Sequence, residues 1–172
     1  IPATALLPVA LFPLLDVMDG SDVTRSYANH LIYLFLGGFM IAVTMQKWNL
    51  HHRIALHTIR MVGVTPDRIM LGFMLATAFL SMWISNTATT MMMVPIALAI
   101  VIRLEKLLGT EKSRNISTGL FLGLAYSASI GGIATLVGTP PNLSFSRIFA
   151  ITFPDAPEIS FSTWFIFALP IS

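Results

Sequence analysis

Charge is what this chain has least of. Only 10% of its 172 residues are Asp, Glu, Lys or Arg, against 55% hydrophobic, and the mean hydropathy is +0.79. A soluble domain carries about 25% charged residues. Too few are present to coat a water-facing surface, which leaves a polytopic membrane protein. Cysteine is missing, so disulfides and thiolate metal centres are excluded. The net charge of +2 is too small to suggest nucleic acid as a partner. Residues 69–102 and 115–146 contain no Asp, Glu, Lys, Arg or His. That removes zinc chemistry and any nucleophile–base pair from the apolar interior, and argues against an enzyme.

The charges that exist are ordered. Eight of the ten basic residues form two blocks, Lys47, Arg53, Arg60, Arg68 and then Arg103, Lys106, Lys112, Arg114. Acidic residues gather at Asp16, Asp19 and Asp22, and again at Asp155 and Glu158. Basic excess marks the cytoplasmic side of a membrane protein, so both basic blocks are placed inside and both acidic loops outside. Residues 1–15 then end a crossing, 28–46 form a full span, and 47–68 suit an amphipathic helix on the cytoplasmic surface. Residues 116–146 cross outward and 161–172 begin a return. The chain opens and closes within short apolar runs and has no basic stretch ahead of the first, so it reads as an internal piece of a larger carrier or channel rather than one led by a signal peptide.

Residues 69–102 begin and end beside basic blocks. One straight helix cannot do that, and two full crossings need about 40 residues plus a turn. Two half-helices fit, with Ser85-Asn86-Thr87-Ala88-Thr89-Thr90 at the tip of a re-entrant hairpin. Non-helical backbone at that depth is tolerated only where it packs in protein or lines a wet cavity. A second interruption lies in "SASIGGIATLVGTPPNLSFS", where Gly138, Pro140 and Pro141 predict a helix broken near 138–142.

Broken helices offer unpaired N–H groups at one tip and unpaired carbonyls at the other. Secondary transporters hold substrate and coupling ion at such tips. A cation here meets only neutral oxygens, which suits Na⁺ better than zinc or calcium. An anion meets the Asn86 amide, the Thr87 hydroxyl and helix-end N–H groups. With no fixed cationic side chain present, bound Na⁺ is the natural local positive charge, so sodium is expected to bind first and the anion second.

The stretches "FLSMWISNTATTMMMVPI", "SASIGGIATLVGTPPN" and "LFLGGFMIAVTMQKWNLHHRIALHTIRMVG" together resemble the divalent anion/sodium symporter family of sodium-coupled di- and tricarboxylate carriers, over about residues 1–172. The resemblance implies an all-α, elevator-type homodimer in the plasma (inner) membrane, built from two inverted repeats, of which this chain matches most of the first. It further implies a Na⁺ site from Ser81, Ser85, Asn86, Gly138 and Thr139. Asn86, Thr87, Thr139 and Pro140 are implied contacts for a carboxylate substrate. Residues 1–62 correspond to scaffold helices with a linking cytoplasmic helix, 63–160 to part of a transport domain (hairpin 69–102, broken helix 116–146), and 161–172 to the start of a further helix. Only one Ser-Asn-Thr is present, so the partner motif and half the pocket are expected elsewhere. Position 140 is Pro here and Gly in some members, which leaves the choice between di- and tricarboxylate open.

Other features have plainer readings. Gly37-Gly38 and Gly131-Gly132 suit close helix packing, and Met91 to Met93 an apolar wall. His51, His52 and His57 are expected as solvated members of the surface helix. The competing functional readings are a sodium-independent anion exchanger, a sulfate carrier or a channel on the same architecture.

Overall fold

The computed structural model describes residues 2–28, 30–63 and 65–172. The described residues form nine helices and no strand: α1 Pro2–Leu14, α2 Gly20–Tyr27, α3 His30–Lys47, α4 Leu50–Val62, α5 Pro66–Ser81, α6 Asn86–Leu108, α7 Thr110–Ile133, α8 Pro140–Thr152 and α9 Phe161–Ala168. Two compact units divide at Gly37/Gly38. In the first, the Tyr27 hydroxyl donates to Ala5 O at 2.6 Å and ties α2 to α1.

Local chemistry sets the boundaries. Pro66 opens α5 with Asp67 in its first turn, where a missing N–H costs nothing and a negative charge is favoured. Gly63 (φ 124°) ends α4, and Gly109 (φ 82°) joins α6 to α7, both at angles that disfavour a side chain.

Close approaches define how α5 and α7 pack. Methionine sulfurs at Met70 and Met74 lie 3.3 and 2.8 Å from where a Cβ would stand on Gly119 and Gly123. Farther along both helices, a Cβ on Gly131 would fall 2.6 Å from Ala78 Cα. The paired numbers rise together, so α5 and α7 run parallel. The intervening α6 must therefore travel back, and the chain doubles over at residues 82–85. Phe73, Ala76 and Leu80 of α5, Met93, Ile96 and Ala97 of α6, and Leu120 and Leu124 of α7 share one buried cluster with Ala55 of α4. Helix α4 crosses α5 where Gly72 meets the Ile59 backbone, 3.1 Å from the Cβ position. Gly38 lies against Val137, whereas Gly37 faces open space.

Two expectations about these elements need correction. The segment Ser85 to Thr90 is not an unwound tip. The break is Met82 to Ser85, and Asn86 to Thr90 already belong to α6. Ser85 accepts from Ala88 N as the N-cap, and Thr90 Oγ1 donates back to Asn86 O at 2.8 Å. Those hydroxyls are satisfied inside the helix and do not force it open. The second break spans 134–139, not 138–142, because Pro140 and Pro141 occupy the first turn of α8, where prolines start a helix. His51 also departs from its expected place. It is buried, 7% exposed, while His52 and His57 are exposed.

Candidate functional site

The two breaks meet. Ser81, the last residue of α5, is fully buried, and its hydroxyl donates to Ala128 O of α7 at 2.6 Å. The Asn86 amide, one residue past the cap of α6, faces three oxygens. With its nitrogen turned toward them it donates to Ser81 Oγ at 2.8 Å, Ala128 O at 3.1 Å and Gly138 O at 3.3 Å. Three residues from three places in the chain thus focus on one amide. No charged side chain belongs to either break or to the helical turns beside them.

Glycines make the approach possible. A Cβ on Gly132 would stand 2.9 Å from Asn86 Cγ, and one on Gly138 would stand 2.9 Å from Ser81 O. The packing expected for Gly131-Gly132 is therefore present, but Gly132 packs against a polar side chain rather than an apolar one.

Two side chains stitch the breaks. Thr135 is fully buried; its hydroxyl donates to Met82 O and accepts from Gly138 N at 3.0 Å. Asn142, 7% exposed, donates to Gly132 O at 3.0 Å and Thr135 O at 2.8 Å, with Ile133 O at 3.5 Å. Each satisfies backbone groups that the unwound chain leaves bare, which matters most where water is scarce.

Of the residues picked from sequence, Ser81, Asn86 and Gly138 are brought together. Ser85 lies at the same break, but its hydroxyl is used as the helix cap. Thr87 is exposed on the first turn of α6, Thr139 is half-buried at the entrance of α8, and Pro140 is exposed beside it. Thr87 and Thr139 have no side-chain bond tying them to the Asn86 cluster among the described residues. Sequence reasoning missed Ala128, Thr135 and Asn142. Ala128 contributes only a carbonyl, which no side chain advertises. Asn142 had a signal, since an amide just after two prolines is a natural donor to a frayed helix end.

Four helix ends converge at this place: the carbonyl ends of α5 and α7 and the N–H ends of α6 and α8. The first pair favours positive charge and the second negative. Because Pro140 and Pro141 carry no N–H, the free donors come mainly from α6. The donor set suits a hard monovalent cation: one amide, one hydroxyl and main-chain carbonyls, without carboxylate, imidazole or thiolate.

Among the described residues the chain is all-helical, and its family and two long apolar helices make it an integral membrane protein. Helices Asn86–Leu107 and Ser113–Ile133 are long and apolar enough to cross a bilayer, with mean hydropathies of 1.8 and 1.4. The chain belongs to the CitMHS family, described as citrate transporter, which matches residues 1–172. It is 45% identical to the sodium-dependent dicarboxylate transporter SdcS of Staphylococcus saprophyticus over 99% of this chain and 33% of that protein. Solute carrier family 13 member 2 of Rattus norvegicus is 42% identical over 97% of this chain and 36% of its own length. The SdcS of Staphylococcus aureus is 42% identical over 99% and 33%. The chain spans about a third of the length of these relatives. Their names are those of transporters and solute carriers, not of enzymes.

Proposed function

We propose that these residues are one repeat of a sodium-coupled carrier of di- and tricarboxylates such as succinate or citrate. The carrier is a homodimer in the plasma (inner) membrane that moves its transport domain by an elevator motion against a scaffold. The observation that carries this reading is the meeting of Ser81 Oγ, Asn86, Ala128 O and Gly138 O at two helix breaks in segments free of charge.

The Asn86 amide is the working part. With its nitrogen inward its two N–H donors are shared among the three surrounding oxygens, of which Ala128 O also takes the Ser81 hydroxyl. Turned over, its Oδ1 accepts from the Ser81 hydroxyl at 2.8 Å and brings a fourth oxygen into the cluster, an oxygen-rich arrangement that suits a cation among them. Ser81, Asn86 and Gly138, with Ala128, are the assigned Na⁺ ligands, and Ser85 and Thr139 contribute from the cap positions of α6 and α8. Thr87, exposed at the N–H end of α6, receives a substrate carboxylate with Asn86, Thr139 and Pro140. A sodium ion beside them supplies the positive charge that this chain's own side chains lack.

In this reading α5 and α6 form a re-entrant hairpin. The 16 residues of α5 are about 24 Å long, short of the roughly 30 Å hydrocarbon core. Residues 1–62 serve as scaffold and linking helix, and 63–160 as part of the transport domain. The name of SdcS supports sodium and dicarboxylate, and that of the family supports citrate.

The test is uptake of labelled succinate by proteoliposomes of the full-length protein with and without an inward sodium gradient. Saturable, gradient-driven uptake is expected. Uptake indifferent to sodium identifies an exchanger, and flux that does not saturate identifies a channel; either result overturns the coupling.

A further inference from the structure

The short helix α9 touches both breaks, although neither the charge pattern nor the two interrupted motifs involve it. Its Trp164 indole N–H donates to Ile133 O, the last residue of α7, at 3.0 Å. Its Phe161 ring stacks on Trp83 within the first break, with centroids 6.4 Å apart and planes 27° from parallel. The indole also packs, tilted, against Phe145 of α8, centroids 5.9 Å apart.

The carbonyls at the end of α7 are divided among distinct donors. Gly131 O takes Ala134 N at 3.1 Å. Gly132 O takes the Asn142 amide, and Ile133 O takes Trp164, with the Asn142 nitrogen 3.5 Å away. Ala128 O and Gly138 O are left facing Asn86. A carbonyl helix end attracts cations along its whole last turn. Here two of the terminal oxygens are already committed to side-chain donors, so the attraction is confined to the face that Asn86 and Ser81 occupy. The same bond fixes the turn that carries Gly132, whose Cα must stay close against the Asn86 amide.

We propose that Trp164 is a positioning residue for the cation site: its indole N–H commits Ile133 O and holds the end of α7 in the register that Asn86 needs. The proposal rests on the sodium-coupled reading above. It acts through α7, and Trp164 itself touches neither ion nor substrate.

The experiment is sodium-activated succinate uptake by the full-length protein carrying Trp164→Phe, which keeps a ring against Phe145 and deletes the N–H. The sodium concentration for half-maximal uptake is expected to rise 3- to 10-fold, with the maximal rate at saturating sodium kept within about a factor of two. Trp164→His, which retains a ring N–H, is expected to fall between the two. Phe145→Leu, which loosens the ring but spares the donor, is expected to keep the wild-type sodium curve. A Trp164→Phe protein with an unchanged sodium curve, or one that loses only maximal rate, overturns the proposal. If Trp164→Phe does not fold, the Trp164→His and Phe145→Leu pair decides: equal sodium curves overturn it, and a rise in Trp164→His alone supports it. Sodium-independent uptake by the unsubstituted protein would defeat the carrier reading instead, so the two failures are distinct.

Discussion

Asn86, half-buried, and His51, buried, show what a single polar group commits a membrane protein to. Asn86 answers three oxygens at once. Its truncation to alanine removes the amide donor from Gly138 O, while Ala128 O keeps the Ser81 hydroxyl; a buried carbonyl left without a donor costs about 1–3 kcal/mol. Asn86→Ala is therefore expected to reduce succinate uptake at least tenfold and to abolish its sodium activation; normal sodium activation in that variant would remove Asn86 from the site. His51 is the opposite case, since its Nδ1 is buried without a partner. Burial first, and then the neighbouring His52, pull its pKa below the usual 6.5, while the Met45 backbone acts the other way. A histidine with a lowered folded pKa binds fewer protons folded than unfolded in the window between that pKa and 6.5. Stability is therefore whole above pH 6.5 and falls as the pH drops through that window. His51→Phe is expected to flatten the thermal-stability profile of the purified protein between pH 7 and 5. A profile as steep as wild type would place the acid sensitivity elsewhere.

The helices and their breaks were partly legible. Interrupted elements near Ser85 and Gly138 follow from small polar residues, glycine and proline set in apolar runs, and an amphipathic helix within 47–68 follows from alternating basic and apolar residues. The exact break positions did not follow, because hydroxyls and prolines each have two uses. Threonine hydroxyls that suggest an opened backbone bond back within α6, and a proline pair that suggests a broken helix opens α8. The joint between the breaks was invisible, since Thr135 in "IATLVG" carries no pattern that sets it apart. Its hydroxyl links Met82 O to Gly138 N and so couples one break to the other. Thr135→Val keeps the shape and deletes both bonds, at a cost of about 1–3 kcal/mol for each polar group left bare. The melting temperature of the detergent-solubilised protein is expected to fall by several degrees, with sodium restoring less of it than in the wild type. An unchanged melting temperature would mean that the breaks do not depend on this link.

Sidedness ties the residues and helices to the bilayer. On the proposed reading, the basic blocks flanking 69–102 put both ends of the α5–α6 pair on the cytoplasmic side; the parallel packing of α5 and α7 has α6 return toward the start of α5. Helix α6 has 23 residues against the 16 of α5, and its last turns carry Arg103, Glu105 and Lys106. Single cysteines report such a geometry cleanly, as this stretch has none of its own. Met61 near the end of α4, Leu107 near the end of α6 and Phe153 just past α8 are 75%, 70% and 55% exposed. In a full-length protein freed of other cysteines, Met61→Cys and Leu107→Cys are expected to react with a membrane-impermeant maleimide only from the cytoplasmic face. Phe153→Cys, beside the acidic Asp155 to Glu158 loop, is expected to react only from outside. Labelling of Leu107→Cys from the face opposite Met61→Cys would mean that residues 66–108 cross the membrane once, and the helix breaks would then have no common depth at which to hold an ion.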